Sequence, residues 1–293
     1  MDTPANRMLR WAPVARLAKA TAGIDQRRSI PSFAATSLRR SVGTPEIIPD
    51  VWIWADSFTD HFFPDNALAA IRFLESVGVT ARVIRDDACC GLTWITTGQL
   101  DQARSILTRT VRTLTPYVES GVPVVGLEPS CILTLRDEFR ALLPGAGSKS
   151  LARTSLLLEE FLTREAEAGR LDLPLRAPAA KVLLHGHCHQ KAFGTMGAVE
   201  RALRLIPDMA IETVDSSCCG MAGAFGYQAE TIDVSMAMGE LSLLPAIRAA
   251  TPDTLLVADG TSCRHQIADG TGREALHVAE VLARALDERR RPT

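Results

Sequence analysis

Two identical Cys-Cys-Gly triplets, at residues 89–91 and 218–220, are the part of this sequence most suited to chemistry. They hold four of only seven cysteines in a chain of 293 residues. A lone cysteine usually packs as a small buried hydrophobic residue, but repeated adjacent pairs are hard to explain by packing. Adjacent thiolates on a turn suit a soft metal, because they can bind two irons of one cluster or two corners of a zinc tetrahedron.

All seven cysteines follow runs that we predict to be strands, and parallel α/β sheets place functional residues at the carboxyl ends of their strands. We therefore expect two sets of thiols to converge as metal ligands. The sets are Cys89, Cys90 and Cys131 in the first half, and Cys188, Cys218, Cys219 and Cys263 in the second. Four thiolates are enough for one 4Fe–4S cluster, which we predict at the second set. Three thiols leave open whether the first set binds metal.

The elements that would position these thiols alternate between short apolar runs and amphipathic segments, which predicts an α/β fold with parallel strands. The predicted strands are 51–55, 80–86, 122–128, 181–187, 210–215 and 253–259. The predicted helices are 65–78, 98–121, 133–144, 198–206, 230–250 and 273–291. Cys218 follows Cys89 by 129 positions and Cys263 follows Cys131 by 132, so the sequence indicates an internal duplication of one long unit.

The duplication predicts four segments. Residues 1–48 form a basic linker or docking segment, and residues 49–148 form the first α/β half. Residues 149–178 form a helical bridge, and residues 179–293 form the second half. The first 45 residues hold eight basic residues against two acidic ones, and an amphipathic helix there suits a linker or docking role better than a transit peptide.

Composition narrows the class of protein. Hydrophobic residues make up 46% of the chain and charged residues 23%, which is an ordinary globular balance. A net charge of -2 argues against a nucleic-acid partner, and no stretch is apolar enough for a transmembrane segment. An odd number of cysteines without a secretory signal predicts a reducing, cytoplasmic location.

The cysteine pattern resembles the cysteine-rich or CCG domain, in which a cysteine, a Cys-Cys-Gly triplet and a Cys-x-x-Cys pair occur twice per chain. One subunit each of heterodisulfide reductase and glycerol-3-phosphate dehydrogenase share it, as do the lactate-utilisation iron–sulfur protein and the glycolate oxidase iron–sulfur subunit. The closest likeness is to the C-terminal iron–sulfur part of FAD-linked D-lactate or D-2-hydroxyglutarate dehydrogenases. The stretches that carry it, within about residues 20–285, are "WADSFTDHFFPDNALAA", "VVGLEPSCILTLRDE", "HGHCHQKAF", "SSCCGMAGAFGY" and "DVSMAMGE".

The resemblance carries over incompletely. The leading cysteine of the first motif falls near Ser57, and the first cysteine of each Cys-x-x-Cys pair falls at Glu128 and at Gly260. The second half therefore matches four of five ligand positions and the first half three, so we expect an ordinary cluster in the second half rather than a five-thiolate one. The first half has three open readings: a labile cluster with Ser57 or Glu128 as an oxygen ligand, thiolates lent to a shared site, or no metal.

Other residues near the triplets can support a cluster. Gly220 lets backbone amides approach the sulfurs. His185, His187 and His189 alternate, so all three would point one way if the predicted strand 181–187 continued, and we favour His187 and His189 as cofactor-site residues because they flank Cys188. Lys191, Arg264 and His265 could balance cluster charge, although surface solvation is the simpler interpretation.

The resemblance implies an iron–sulfur electron-transfer subunit or domain of a flavin-linked D-2-hydroxyacid dehydrogenase. The sequence shows neither a flavin-binding module nor a ferredoxin-like Cys-x-x-Cys-x-x-Cys run, so we expect FAD on a partner chain or a missing domain. The expected partners are an FAD-binding dehydrogenase subunit and a ferredoxin-like iron–sulfur protein or quinone-side acceptor, which would place the chain at a membrane surface through its partner. Two alternatives stay open: a heterodisulfide or thiol reductase with an under-ligated cluster, and a zinc-stabilised binding or assembly protein without enzymatic activity.

Overall fold

The computed structural model describes residues 3–286 and confirms two parallel-sheet α/β units. The first sheet has the strand order β2-β1-β3-β4 and the second the order β6-β5-β7, and every pairing between these strands is parallel. The strands are β1 (Val51–Trp54), β2 (Ala81–Ile84), β3 (Val124–Gly126), β4 (Ser155–Leu157), β5 (Lys181–Leu184), β6 (Ala210–Thr213) and β7 (Leu255–Val257).

Helices cover both faces of each sheet. Those of the N-terminal segment and first unit are α1 (Pro4–Arg10), α2 (Ala12–Thr21), α3 (Leu38–Ser41), α4 (Ser57–His61), α5 (Pro64–Ser76), α6 (Leu92–Thr96), α7 (Leu100–Glu119), α8 (Pro129–Thr134), α9 (Glu138–Leu142), α10 (Ala146–Thr154) and α11 (Leu158–Glu167). Those of the second unit are α12 (Cys188–Ala192), α13 (Met196–Arg204), α14 (Ile232–Glu240), α15 (Leu243–Ala249), α16 (Thr261–Thr271) and α17 (Val278–Arg284). A short 3₁₀ helix, Gly223–Gly226, follows the second triplet.

The first strand of each unit, β1 or β5, is an interior strand of its sheet. All four residues of β1 are buried, as are the last three of β5, because parallel strands are covered on both faces. In the first sheet Ile53 pairs with Val83 on one side and Val125 on the other. The segments that leave the carboxyl ends of corresponding strands carry the thiols, so the shared strand order places the two sets in equivalent positions.

The predicted helical bridge is wrong at one point. Residues 149–169 do not form one helix, because β4 interrupts them between α10 and α11 and pairs with β3. In the second unit Leu276 makes a parallel bridge to Val257 and leads into α17, so both units end in a fourth strand-like segment followed by a helix. Residues 155–157 of this segment thus complete the first sheet. The division of the chain into four segments remains a prediction.

Three predicted helices also differ from the structure. The one over 133–144 is two helices, α8 and α9, of which the first begins four residues earlier, with Pro129 in its first turn. The one over 230–250 is divided into α14 and α15 at residues 241–242. The one over 273–291 is observed at 278–284, and its residues 287–291 lie outside the described part of the chain.

The basic N-terminal segment begins with α1 and α2, which are separated at Trp11, and then contacts the second unit before it reaches α3. Ile24 makes an antiparallel bridge to Gln228, and Asp25 N–H donates to the Tyr227 carbonyl over 2.8 Å. Arg28 follows and is 1% exposed. Its guanidinium donates to the Gly226 carbonyl (2.6 Å) and to Ser235 Oγ (2.9 Å), and it lies 3.5 Å from Asp269.

One hydrophobic core joins the two units. It includes Phe73 and Leu74 of α5 in the first unit and Val281 and Leu282 of α17 in the second, all fully buried. Smaller clusters lie beneath each set of thiols, one containing Cys90 and Cys131 and the other Cys219 and Cys263. The hydrophobic effect on this shared surface holds the units together.

Candidate metal centre

The four thiols of the second unit converge in a continuous run of contacts. Cys218 lies in hydrogen-bonding reach of both Cys188 and Cys219, and Cys219 is in reach of Cys263. Cys188 is the first residue of α12, the adjacent pair follows β6, and Cys263 is the third residue of α16. Three elements far apart in sequence therefore bring four sulfurs to one edge of the sheet.

The glycine of each triplet has a conformational role that both units share. Gly91 and Gly220 have φ angles of 72° and 94°, a left-handed region that strains any residue with a Cβ. This turn points the glycine N–H back at the first sulfur of the pair, over 3.4 Å to Cys89 and 3.3 Å to Cys218. The next residue along, Leu92 or Met221, donates its N–H to the second sulfur. Each adjacent pair thus faces two backbone donors.

The electrostatic surroundings of the second set favour thiolates. Hydrogen bonds from Cys188 and Cys219 lower the pKa of Cys218, and the charge of His187 adds to this. The hydrogen bond from Cys219 lowers the pKa of Cys263 well below its usual value; burial opposes this, but the charges of His185 and His187 support it. The pKa values of Cys188 and Cys219, which act as the donors, are raised. Anionic sulfur is therefore stabilised at this centre.

The thiols of the first unit also come together, with Cys90 Sγ 3.4 Å from Cys131 Sγ and Cys89 next to Cys90. Cys131 is the third residue of α8, the same helix position that Cys263 has in α16. Ser57 is the first residue of α4, as Cys188 is of α12, and its hydroxyl is in hydrogen-bonding reach of Cys89. A serine hydroxyl thus lies beside the first set where a thiol lies in the second.

Acidic residues surround the first set, in contrast to the second. The hydrogen bond from Cys90 lowers the pKa of Cys131, but burial and the charges of Asp56 and Glu128 outweigh it and raise the pKa to about 12. Hydrogen bonding to the next thiol and burial raise the pKa values of Cys89 and Cys90 as well. The first set thus has two buried carboxylates nearby where the second set has the charges of His185 and His187, which makes the first site less suited to an anionic cluster.

The resemblance places two further cysteines at Glu128 and Gly260. In the structure Glu128 contacts the second unit, and Gly260 contacts the ring of His187. Glu128 accepts hydrogen bonds from Ser130 Oγ (2.7 Å) and from the backbone N–H of Thr261 (2.8 Å), so both carboxylate oxygens already have partners within the protein. At Gly260 a Cβ would overlap the imidazole ring of His187. The five-thiolate pattern is thus incomplete for a steric reason in the second unit.

The histidines divide into two groups. His187 caps α12 by accepting the His189 N–H at Nδ1 (3.1 Å), and the two rings stack with their centroids 5.2 Å apart. One donor atom each from His187, Cys188 and His189 lie within 4.8 Å of one another, so the structure brings both predicted histidines to the edge of the thiol set. His185, which does not flank a cysteine in the sequence, lies deeper and approaches Cys219 and Cys263.

Residues that the sequence does not single out support both centres. Asp56, 1% exposed, caps α4 beside the first set, and burial together with the charge of Glu128 raises its pKa to about 6. Arg28 holds the glycine-rich loop behind the second set through Gly226. Because Arg28 lies among other basic residues, the sequence does not indicate that its side chain is buried. For Asp56 the signal is an Asx residue just before a short helix, which is typical of an N-cap.

The chemistry of the second donor set fits an iron–sulfur cluster. Such a cluster needs thiolate ligands, hydrogen-bond donors to sulfur and positive charge nearby. This site has four thiols, backbone N–H groups aimed at two of them, and the basic side chains of Lys191 and Arg264. The same four sulfurs could hold zinc, which also prefers thiolates. In either case Cys188, Cys218, Cys219 and Cys263 are the residues that would hold a soft metal at this site.

These features define a protein with two α/β units that each gather cysteines at the carboxyl edge of a parallel sheet. Residues 57–136 and 182–268, more than half of the chain, match the family described as "Cysteine-rich domain", abbreviated CCG. The chain belongs to this family, and the two matched ranges lie one in each unit.

The proteins to which this chain is similar include dehydrogenases and their subunits. The chain is 29% identical over 280 residues to a subunit of the anaerobic glycerol-3-phosphate dehydrogenase of Escherichia coli, covering 94% of this chain and 70% of that protein. It is 27% identical over 238 residues to "D-2-hydroxyglutarate dehydrogenase" of Escherichia coli, covering 79% of this chain but 22% of that protein. It is 23% identical over 249 residues to "Lactate utilization protein A" of an Exiguobacterium strain, covering 80% of this chain and 97% of that protein.

Within residues 3–286, none of the helices combines the length and the apolar character that crossing a membrane requires.

Proposed function

We propose that the protein is an iron–sulfur electron-transfer subunit or domain of a flavin-linked dehydrogenase. The observation that carries this proposal is the continuous run of four thiols in the second unit, with backbone N–H groups and the charges of His185 and His187 beside it. The dehydrogenase names of the relatives support it, since the match to the glycerol-3-phosphate dehydrogenase subunit covers 94% of the chain. The cofactor would be a 4Fe–4S cluster held by Cys188, Cys218, Cys219 and Cys263.

When bound, the cluster supplies a carrier for one electron at a time. A flavin-linked partner would remove two electrons and two protons from the alcohol carbon of its substrate, which would become a ketone, or an aldehyde in the case of glycolate. The electrons would leave the FAD one at a time for this subunit and a ferredoxin-like protein or quinone-side acceptor beyond it, and the protons would pass to solvent. The residues of this chain bind the cofactor, shield it and offset its negative charge, and they do not touch the alcohol.

The substrate of the partner is proposed to be a D-2-hydroxy acid of the lactate, glycolate or 2-hydroxyglutarate type. Two of the named relatives support this, D-2-hydroxyglutarate dehydrogenase and lactate utilization protein A. The glycerol-3-phosphate dehydrogenase relative indicates another substrate, glycerol 3-phosphate, from which the same type of subunit could receive electrons. Following electron transfer from each substrate in an extract that contains the natural partner would distinguish these cases.

The location that suits this role is the cytoplasm, at a membrane surface that the chain reaches through its partner. A tagged protein should sediment with membranes when the partner is present and be released by high salt, since a peripheral attachment is polar. Retention in the supernatant in the presence of partner and membranes would argue against a quinone-side acceptor.

Metal analysis of anaerobically purified protein tests the central proposal. We expect about four irons and about four sulfides per chain, absorption near 400 nm and an electron-spin-resonance signal after reduction. Cys263→Ser should abolish most of this iron. Cys131→Ser is a matched control, because it changes the third residue of the corresponding helix in the first unit, and it should retain the iron of the second unit.

Two other outcomes would replace the proposal. Stoichiometric zinc in a colourless protein that takes up no iron under anaerobic reconstitution would identify a zinc-stabilised binding or assembly protein. Reduction of a heterodisulfide by the cluster-loaded chain without a flavoprotein would identify a thiol reductase.

A further inference from the structure

His185 is a buried histidine whose ring faces two of the four thiols, although the cysteine pattern does not include it. The residue follows β5 directly and is 1% exposed. One of its ring nitrogens lies within 4.8 Å of the sulfurs of Cys219 and Cys263. A buried imidazole next to two sulfurs acts either as a ligand or as a hydrogen-bond donor, and the nearby hydrogen bonds distinguish the two.

The other ring nitrogen is fixed by a serine. His185 Nδ1 lies 3.0 Å from Ser216 Oγ, so Nε2 is the nitrogen left to face the sulfurs. Nε2 is buried and has no hydrogen-bond partner among the described residues. Leaving a polar atom unpaired at such depth is costly, and the sulfurs of Cys219 and Cys263 are the acceptors that lie nearest to it.

The direction of the serine hydrogen bond follows from Lys191. Its ammonium donates to Ser216 Oγ over 3.3 Å, to the Ser217 carbonyl over 3.0 Å and to the Ser216 carbonyl. An ammonium has no lone pair, so the hydroxyl hydrogen of Ser216 finds its acceptor at His185 Nδ1. The neutral ring then carries its proton on Nε2. A protonated ring would also carry one there.

We infer that His185 donates a hydrogen bond from Nε2–H to the thiolate sulfurs of Cys219 and Cys263, and that it thereby makes the bound cluster easier to reduce. The inference rests on the proposed function and adds a residue that tunes the cofactor without binding it. A hydrogen bond to a ligand sulfur withdraws negative charge from the cluster and favours the reduced form. Lys191 and Ser216 position the ring for this contact.

Reduction potentials of cluster-loaded variants test this role, measured by electron-spin resonance during a redox titration. His185→Leu removes the donor and should disfavour reduction about tenfold in its equilibrium constant, which for one electron is about 59 mV. His185→Gln retains an N–H near the position of Nε2 and should stay within about threefold of the unmodified protein. Ser216→Ala removes the hydroxyl that fixes the tautomer of His185, and its reduction potential should lie between those of His185→Leu and the unmodified protein. His61→Leu, at a half-exposed histidine of the first unit, is the control and should change nothing.

The possible results separate the inference from the proposed function. Unmodified protein without iron would remove the proposed function. Iron-loaded His185→Leu with an unchanged potential would overturn the hydrogen bond alone, as would a strong ¹⁴N hyperfine coupling in pulsed spin resonance, which means that the ring binds iron. If His185→Leu does not bind the cluster, Ser216→Ala still tests the inference. A reduction potential of Ser216→Ala equal to that of the unmodified protein would exclude a hydrogen-bond donor that depends on the tautomer of His185.

Discussion

Glu128 of the first unit accepts a hydrogen bond from the backbone N–H of Thr261 in the second, over 2.8 Å, and so joins the two candidate centres. Thr261 is the first residue of α16, and Cys263 lies two residues further along that helix. Burial alone would raise the pKa of Glu128, but the charge of His187, the Thr261 N–H and the charge of Arg264 outweigh it, so the pKa is lowered. A carboxylate of the first unit therefore anchors the helix that carries a thiol of the second.

Glu128→Ala should lower the free energy of unfolding by about 2 to 3 kcal/mol, because it leaves a buried backbone N–H without its charged acceptor. We expect Glu128→Gln to lose less, since the amide oxygen can still accept from Thr261. Urea denaturation measures both. Glu119→Ala, at an exposed glutamate of α7, should stay within about 0.5 kcal/mol, and an equal loss in that variant would show a nonspecific effect.

Gly220 cannot carry a side chain without moving the backbone of a neighbouring helix. An added Cβ would overlap the carbonyl oxygen of Ser235, and the φ angle of 94° adds strain. We expect Gly220→Ala to cost about 3 kcal/mol or more and to reduce the metal content of the second unit. Gly223→Ala is a matched control, because its φ is also positive and nothing lies within 4 Å of its added Cβ. It should cost about 1 kcal/mol. Equal losses in the two variants would contradict the steric explanation.

Asp269 should give the protein a pH-dependent part of its stability. Burial raises its pKa, but hydrogen bonds from His265 and Ser29 outweigh this and lower the pKa from 3.8 to about 2. A carboxyl with a lowered folded pKa stabilises the fold above the unfolded value, and this contribution disappears as the pH falls from 3.8 towards 2. The stabilisation is at most about 2 kcal/mol, because the side chain is only partly shielded from water.

The pH dependence can be measured by denaturation of Asp269→Asn at two pH values. The variant should be about 1 to 2 kcal/mol less stable at about pH 6 and nearly equal to the unmodified protein at about pH 2. Asp233→Asn changes an aspartate whose side chain is 84% exposed, and it should have little effect at either pH. A loss in Asp269→Asn that is the same at both pH values would mean that the carboxylate charge does not matter.

Most of the fold could be predicted from the sequence, because the apolar runs of buried parallel strands are distinct from their surroundings. Within residues 3–286 the predicted strands correspond to every observed one except β4. Ser155–Leu157 stands between two amphipathic segments and is too short to show a pattern of its own. It forms a strand because β3 offers an edge for pairing, and that edge exists only in the folded sheet.

The convergence of the thiols was predictable, and much of their environment was not. The strand order brings Cys188, Cys218, Cys219 and Cys263 together, as the position of each after a strand indicates. That they bind metal remains a prediction. The acidic surroundings of the first set, the buried Nε2 of His185 and the burial of Arg28 against a loop 198 positions away depend on tertiary contacts that leave no local pattern.

Restoring the missing cysteine of the second unit should fail as long as His187 is present. The side chain of Gly260→Cys would overlap the His187 ring, so we expect a loss of about 2 to 3 kcal/mol and no further metal ligand. His187→Ala alone should cost about 1 kcal/mol, because the ring caps α12 by accepting the His189 N–H. Urea denaturation of both variants gives these values.

The double variant, Gly260→Cys with His187→Ala, tests whether the His187 ring is what excludes the new side chain. Removing the ring opens the space that the new side chain needs, so Gly260→Cys should cost only about 1 kcal/mol in the His187→Ala background, and the two effects should couple by about 1 to 2 kcal/mol. A fifth thiol can approach the metal only in the double variant, so the spin-resonance spectrum of its cluster should differ from the spectra of both single variants. Additive losses, or a changed spectrum in Gly260→Cys alone, would show that His187 is not what excludes a cysteine from position 260.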